Sequence, residues 1–390
     1  MKKRLKEFSI VSITVLLWVL GLGWLAVLII AMSLSYGIVM KGIPYIKPML
    51  LRKICTGVFT FVFFFSIAIG VRVFVFDIYK IPSASMENTL YPGDVILVNK
   101  LQYGPKLPRS PFEISWVNIA FYLNDAARKK MGIDWWGYKR FSGISKIKQG
   151  DVFVFHMDFS KRTTLVKRCV GLAGDELEIK KGKVYINGVL YTEPDLVKNR
   201  YRVQIPIKKI FYRQLDSLGL DVFRKPAYEL SGILEAALTN EELKKVNSLK
   251  GIDPLWQVVA TKSNYKNVYP KSKKYSWTMD NFGPFKIPKK GMRIPLNEKT
   301  VALYKKVIKK HEKQHLKKTT NGYVLNGKKQ TSYVFQQDYF FMMGDYRKGS
   351  EDSRRWGVVP EKNIIGKTNV VLFNYTYGDF NWKRFLKGIE

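Results

Sequence analysis

The chain has 390 residues, enough for one large domain or two modest ones beside membrane segments. Lysine and arginine number 66 against 31 acidic residues, a formal charge of +35 that suggests nucleic acid or an anionic membrane surface, unless it reflects only solvated faces. No zinc-finger spacing or RNA-recognition signature accompanies it, so anionic lipid is the better reading and nucleic acid is set aside; two cysteines, Cys55 and Cys169, argue against a disulfide framework.

Residues 8 to 40 carry no charged side chain. About 20 residues span the hydrocarbon core, so this run suits one tilted helix and is short for two. It is too long for the apolar region of a signal peptide. A second apolar, aromatic-rich run extends from Ile54 to Val71, with Arg72 placed to snorkel at its end. The expected anchor is therefore residues 1–76, with apolar segments at about 9–36 and 54–75 and a basic loop at 41–53. Lys41, Lys47, Arg52 and Lys53 put that loop in the cytoplasm and send the rest of the chain outward. The tail residues Lys2, Lys3, Arg4 and Lys6 also favour the inside, which conflicts with one crossing of residues 8 to 40; a single crossing is the reading taken.

After Phe76 the pattern turns to short β-type runs with Gly, Pro and Asn punctuation. The run Ile81-Pro82-Ser83-Ala84-Ser85-Met86 precedes a turn at Pro92-Gly93 and the strand Val95–Val98. Residues 101 to 146 read as loop, with Trp135-Trp136 suited either to the membrane interface or to packing. Strands are expected at Val152–Phe155, Thr163–Val170, Leu177–Ile179, Lys183–Ile186 and Val189–Tyr191. Asn187-Gly188 and Asn326-Gly327 give hairpin signals. Strands Tyr339–Met343 and Thr368–Phe373 close the chain. The fold expected is mainly β, with a core of residues 77–194 and 321–390 interrupted by a basic insertion at 195–320. Two helices, Asn240–Ser248 and Thr300–Leu316, are expected near or within that insertion.

Few groups can do chemistry. The three histidines form no serine–histidine pattern. A lysine can act as base if burial lowers its pKa, and Lys167 lies in the apolar run Leu165-Val166-Lys167-Arg168-Cys169-Val170. His311-Glu312-Lys313-Gln314-His315 fits the H-E-x-x-H pattern of zinc peptidases, with Glu312 as base. Its lysine-rich surroundings repel a dication, and both histidines continue the stripe of a basic amphipathic helix. A non-catalytic membrane-anchored binding protein is the third reading.

Four stretches together resemble the successive boxes of bacterial type I signal peptidases. They are Ile81 to Asp94, Gly150 to Phe155, Val166 to Asp175, and Gly344 to Gly357, which includes Ser350-Glu351-Asp352-Ser353-Arg354. The resemblance implies an antiparallel β catalytic domain behind N-terminal transmembrane helices, and a membrane-bound serine endopeptidase that removes signal peptides from exported preproteins without metal or organic cofactor. It makes Ser85 the nucleophile, Lys167 the general base, Ser83 and the Ser85 N–H the oxyanion donors, and Ser350, Asp352 and Arg354 the supporting set. Tyr79, Ile81, Pro82, Met86, Leu90, Leu165 and Val166 would line shallow pockets for small residues, with the substrate added as a β-strand. It also implies the cytoplasmic membrane, several crossings and a catalytic domain on the outer face. Ala84 stands where the family usually has glycine and Cys169 where alanine is common. Tyr346 and Lys348-Gly349 replace its usual Asn and Asp-Asn. Only 13 positions separate Arg72 from Ser85, which at about 3.3 Å per residue keeps the serine within roughly 40 Å of the bilayer edge.

Overall fold

The computed structural model describes residues 12–131, 133–157, 163–224, 226–230, 232–262, 265–320, 322–376 and 378–389. Contacts divide the chain into two units, one of residues 1–79, 97–147 and 365–369, the other of residues 80–96, 148–364 and 370–390.

In the first unit the long apolar run is not one helix. Residues 12–19 are helical, and the chain then breaks at Gly21, whose φ of +74° is open to glycine. Helix α1 follows at Gly23–Gly42 and α2 at Met49–Phe74. At 1.5 Å per residue the 20 residues of α1 already reach about 30 Å, a full hydrocarbon thickness. The expected segment at 9–36 is therefore corrected to a short helix, a break and α1; its first residues and the basic tail lie outside the described residues. The expected loop at 41–53 shrinks to the turn between the helices, where Pro44 opens a single helical turn at Ile43–Tyr45 and Pro48 caps α2. Lys41 falls in the last turn of α1, and Arg52 and Lys53 in α2. No residue of α2 is buried, as suits a lipid-facing helix, and Tyr36 of α1 packs on Phe59 and Phe63 of α2.

Residues 97–147 pack against these helices. Trp24 stacks on Phe141 at 4.9 Å and donates to the Ser142 carbonyl, while Trp116 stacks on Phe65 at 5.6 Å. Trp135 packs on Phe112 and Phe121, and it and Trp136 stay partly exposed.

The second unit carries antiparallel strands β1 (Val152–His156), β2 (Thr164–Gly171), β3 (Glu176–Lys180) and β4 (Lys183–Ile186). Lys181-Gly182 closes the β3–β4 hairpin with both φ angles positive, the mirror-image turn that matches strand twist. The basic region then forms β5 (Asn199–Gln204), α3 (Lys208–Ser217), β6 (Ile233–Leu238) and α4 (Asn240–Asn247). A reciprocal capping box between Thr239 and Glu242 starts α4. Further on come β7 (Phe282–Lys286), α5 (Glu298–Lys306), β8 (Tyr339–Met343) and β9 (Val359–Pro360).

Residues 195–320 divide between two cores. Tyr201, Val203, Phe211, Leu215, Phe223, Leu234, Ala236 and Val246 pack among themselves. Val268, Tyr269, Phe282, Phe285, Tyr304 and Ile308 instead share a core with Leu177, Ile179 and Val184 of the β3–β4 hairpin and with Tyr339 and Phe341 of β8. The expected helix to Leu316 stops early. Past α5 a wider turn runs Val307–His311, Lys313 turns left-handed at φ +54°, and Leu316–Thr319 is a strand paired with Gly322–Leu325.

The first of these cores gives a test. Leu234→Ala removes a fully buried side chain and is expected to cost about 2–5 kcal/mol locally. Hydrogen exchange should accelerate at Tyr201–Gln204 and leave the amides of β1 protected.

Candidate active site

Ile81 is pinned by backbone bonds on both sides: its N–H donates to the Asp94 carbonyl at 2.8 Å and its carbonyl accepts from Gly93 at 2.9 Å. The chain then coils through one tight turn, with Glu87 N–H on the Ala84 carbonyl and Leu90 N–H on the Met86 carbonyl. Met86 and Leu90 bury their side chains, which leaves Ser85 half-buried and Ser83 exposed. The Ser83 and Ser85 hydroxyls lie 3.4 Å apart. Among the described residues the Ser85 N–H donates no hydrogen bond.

Strand β2 brings the lysine. It pairs with β1 from Thr164 to Arg168, and with β8 only from Arg168 to Gly171. The edge at Leu165–Lys167 opposite β1 therefore has no strand partner among the described residues. Successive side chains on a strand point to opposite faces. Lys167 is 3 % exposed, and its amine donates to Ser85 Oγ at 2.7 Å and to the Val166 carbonyl at 3.0 Å. Burial lowers its pKa to about 8, against the pull of Asp352 and then Asp345, which favour the ammonium. Deprotonated, the same nitrogen presents a lone pair to the serine hydroxyl.

Arg168, on the other face, is one of the residues that sequence reasoning passed over. It forks onto Asp345 at 2.9 and 2.8 Å and donates to the Gly150 carbonyl, and Thr89 adds its hydroxyl to the same carboxylate. Both charged partners are buried. The local signal was an arginine inside an apolar strand, which must find a buried acid.

The last box supplies a second fork. Arg354 reaches both Asp352 oxygens at 2.8 and 2.7 Å, and Gly344 N–H adds a bond at 3.2 Å. Burial pushes the Asp352 carboxyl up, but Arg354, this backbone bond and Arg347 together hold it below the usual carboxylate range. Ser350 is buried, and its hydroxyl has no hydrogen-bond partner among the described residues, so no bond to Lys167 is formed here. Gly344 lets these parts approach. A Cβ at this position would lie 2.2 Å from Ser350 Oγ and 2.5 Å from the Ser85 carbonyl oxygen. Tyr346 N–H donates to that same carbonyl at 3.2 Å.

Of the pocket residues expected, Ile81, Met86 and Leu90 are buried, Leu165 and Val166 half-buried, and Pro82 exposed. Tyr79 belongs to the first unit, where its hydroxyl donates to Asp77.

The zinc alternative is corrected. His311 ends the helical turn and His315 lies beyond it, outside any helix, so the two histidines do not share a helical face. Glu312 accepts from the Tyr333 and Tyr339 hydroxyls and from Gln336 N–H, which fixes it as a structural acceptor. Among the described residues no three His, Cys, Asp or Glu side chains cluster as metal ligands.

Gly344→Ala follows from the close approach. The Ser350 hydroxyl can rotate away, but the Ser350 Cβ and the Ser85 carbonyl, each 2.5 Å from the added Cβ, cannot, so overpacking should cost about 1–3 kcal/mol in denaturation. Activity should fall more than the lost stability explains.

The family model described as signal peptidase, peptidase S26, matches residues 54–249 and 283–373. Signal peptidase I of Buchnera aphidicola subsp. Baizongia pistaciae is 26 % identical over 91 % of this chain and 89 % of its own. The Helicobacter pylori enzyme of that name is 24 % identical over 79 % and 78 %, and that of Haemophilus influenzae 25 % over 82 % and 71 %. A crystal structure of a signal peptidase I from Enterococcus faecalis covers 57 % of this chain and 97 % of its own at 14 % identity, with a TM-score of 0.22, too low to bear on the fold.

Proposed function

Since this chain belongs to the signal peptidase family, peptidase S26, we propose that Ser85 and Lys167 are its reacting pair. The chain is a serine endopeptidase that removes signal peptides from preproteins. The observation behind the residue assignment is the 2.7 Å contact between a buried lysine amine and a half-buried serine hydroxyl.

In this reading the signal peptide lies extended along the unpaired edge of β2 at Leu165–Lys167, adding a strand. Ile81, Met86, Leu90, Leu165 and Val166, with Pro82, limit the pockets to small side chains. Neutral Lys167 takes the Ser85 proton as Oγ attacks the scissile carbonyl. The oxyanion forms toward the Ser85 N–H and the Ser83 hydroxyl. The ammonium of Lys167 then gives its proton to the leaving amine, which frees the mature chain and leaves the signal peptide as an ester on Ser85. Water, deprotonated by Lys167, attacks that ester; the bond to Ser85 Oγ breaks, the Lys167 ammonium returns its proton to that oxygen, and the signal peptide leaves as a carboxylic acid that ionises in solvent. Ser350, Asp352 and Arg354 support this arrangement from behind.

The anchor is assigned to α1 and α2, both long and apolar enough to cross a membrane. Lys41, Lys47, Arg52 and Lys53 favour a cytoplasmic turn between them, so the chain crosses more than once and the catalytic residues work on the outer face. Anionic lipid is the partner that the excess charge suits. Residues 77–194 and 321–390 supply the catalytic β core, and 195–320 the inserted region.

Incubation of a preprotein carrying a small-x-small site with the full chain and two variants tests this. Ser85→Ala and Lys167→Ala should each abolish cleavage while keeping the melting temperature; full activity in either would end the assignment. For the native chain, kcat/KM should rise with pH and level off above about 8, where Lys167 becomes neutral. Below that it should fall by roughly tenfold per pH unit; a flat profile from neutral to acid pH would contradict the lysine base.

A further inference from the structure

The residues that hold the nucleophile turn in place come partly from the basic region, which has no assigned role. Lys198 is the junction. Its backbone N–H donates to the Asp345 carbonyl at 2.9 Å, and its carbonyl accepts from Arg347 N–H at 3.0 Å, a parallel bridge onto the last box. Its side chain turns the other way and pairs with Glu87 at 3.2 Å, two residues beyond Ser85. Asn88 donates its amide to the Leu196 carbonyl at 3.2 Å beside it. The last box closes the loop, since Tyr346, between the two bridged residues, donates its N–H to the Ser85 carbonyl. Arg347 is further fixed by Glu193 at 2.7 Å, and Arg200 reaches the Tyr346 hydroxyl at 3.4 Å.

We propose that residues 193–200, through Lys198, are a clamp that positions Ser85 against Lys167. The clamp touches neither substrate nor reacting atoms, so Lys198 is a positioning residue. Its effect is steep because a reacting group displaced by about 1 Å can lose roughly a hundredfold in rate. Tyr346 is the residue that both Arg200 and the Ser85 carbonyl engage.

The clamp rests on Ser85 and Lys167 being the reacting pair, and a charge swap separates the two ideas. In the full chain, Lys198→Glu places two carboxylates together and should lower kcat for a preprotein about fivefold or more with KM unchanged. It should also move the acid limb of kcat/KM upward, because a loosened turn admits water to Lys167. Adding Glu87→Lys to the same chain should restore both. A Lys198→Glu chain with unaltered kcat and acid limb overturns the clamp, and so does a loss that the swap fails to restore. A variant that merely destabilised the fold would lower the melting temperature and leave the acid limb where it was. Ser85→Ala is the control for the reading beneath: if it still cleaves, the reacting pair is wrong, whereas a dead Ser85→Ala beside a silent Lys198→Glu removes the clamp alone.

Discussion

A lysine amine held out of water beside a serine hydroxyl is the contact on which the rest of the second unit converges. An ammonium in that place would lack the solvation it has in bulk water, so burial favours the neutral amine. Two carboxylates nearby pull the other way, and both are needed for the scaffold. The structure limits their pull by pairing each with a forked arginine, Asp352 with Arg354 and Asp345 with Arg168. The arginines thus hold the boxes together and also screen Lys167 from the charges that would keep it protonated. Removing either would leave a buried bare carboxylate, at a typical cost of about 3–5 kcal/mol.

The same contact constrains the backbone. Lys167 reaches Ser85 because β8 stops pairing with β2 at Arg168, which leaves the lysine's stretch of strand open on one side. The serine in turn comes near enough because Gly344 has no side chain between Ser85 and Ser350. Strand register, a missing Cβ and two ion pairs each act on the same few ångströms. The basic region adds to this from outside, with Tyr269 donating its N–H to the Arg354 carbonyl and Lys348 paired with Asp280. It is bonded into the site at several points, although part of it has a core of its own.

Much of this was legible in the sequence, and the reason is local. Ser85, Lys167, Ser350 and Asp352 each sit in a short box where turn residues and strand alternation fix the backbone. Strand positions were close for the same reason, since Gly and Asn mark the turns. What escaped depends on partners far along the chain. Arg168 and Asp345 are 177 positions apart, and neither position announces the other. The helix expected to reach Leu316 stops at His311 because tertiary partners outweigh its apolar stripe. The Glu312 carboxylate is taken by Tyr333 and Tyr339, and Leu316 pairs across to Leu325. The break at Gly21 hid inside an uncharged run where hydropathy has no contrast. A basic composition concealed how residues 195–320 split, because the split is decided by Phe282, Phe285 and Tyr304 joining the β3–β4 hairpin core.

The central claim is that burial against Ser85 lowers the Lys167 pKa from 10.5 to about 8, so that a working fraction of the amine is neutral near physiological pH. Titration of lysine Nζ resonances in the folded chain, with Lys167 assigned by its loss in Lys167→Arg, measures this directly. The account predicts a midpoint near 8. A midpoint at the ordinary lysine value of 10.5 would contradict it and leave Ser85 without its base.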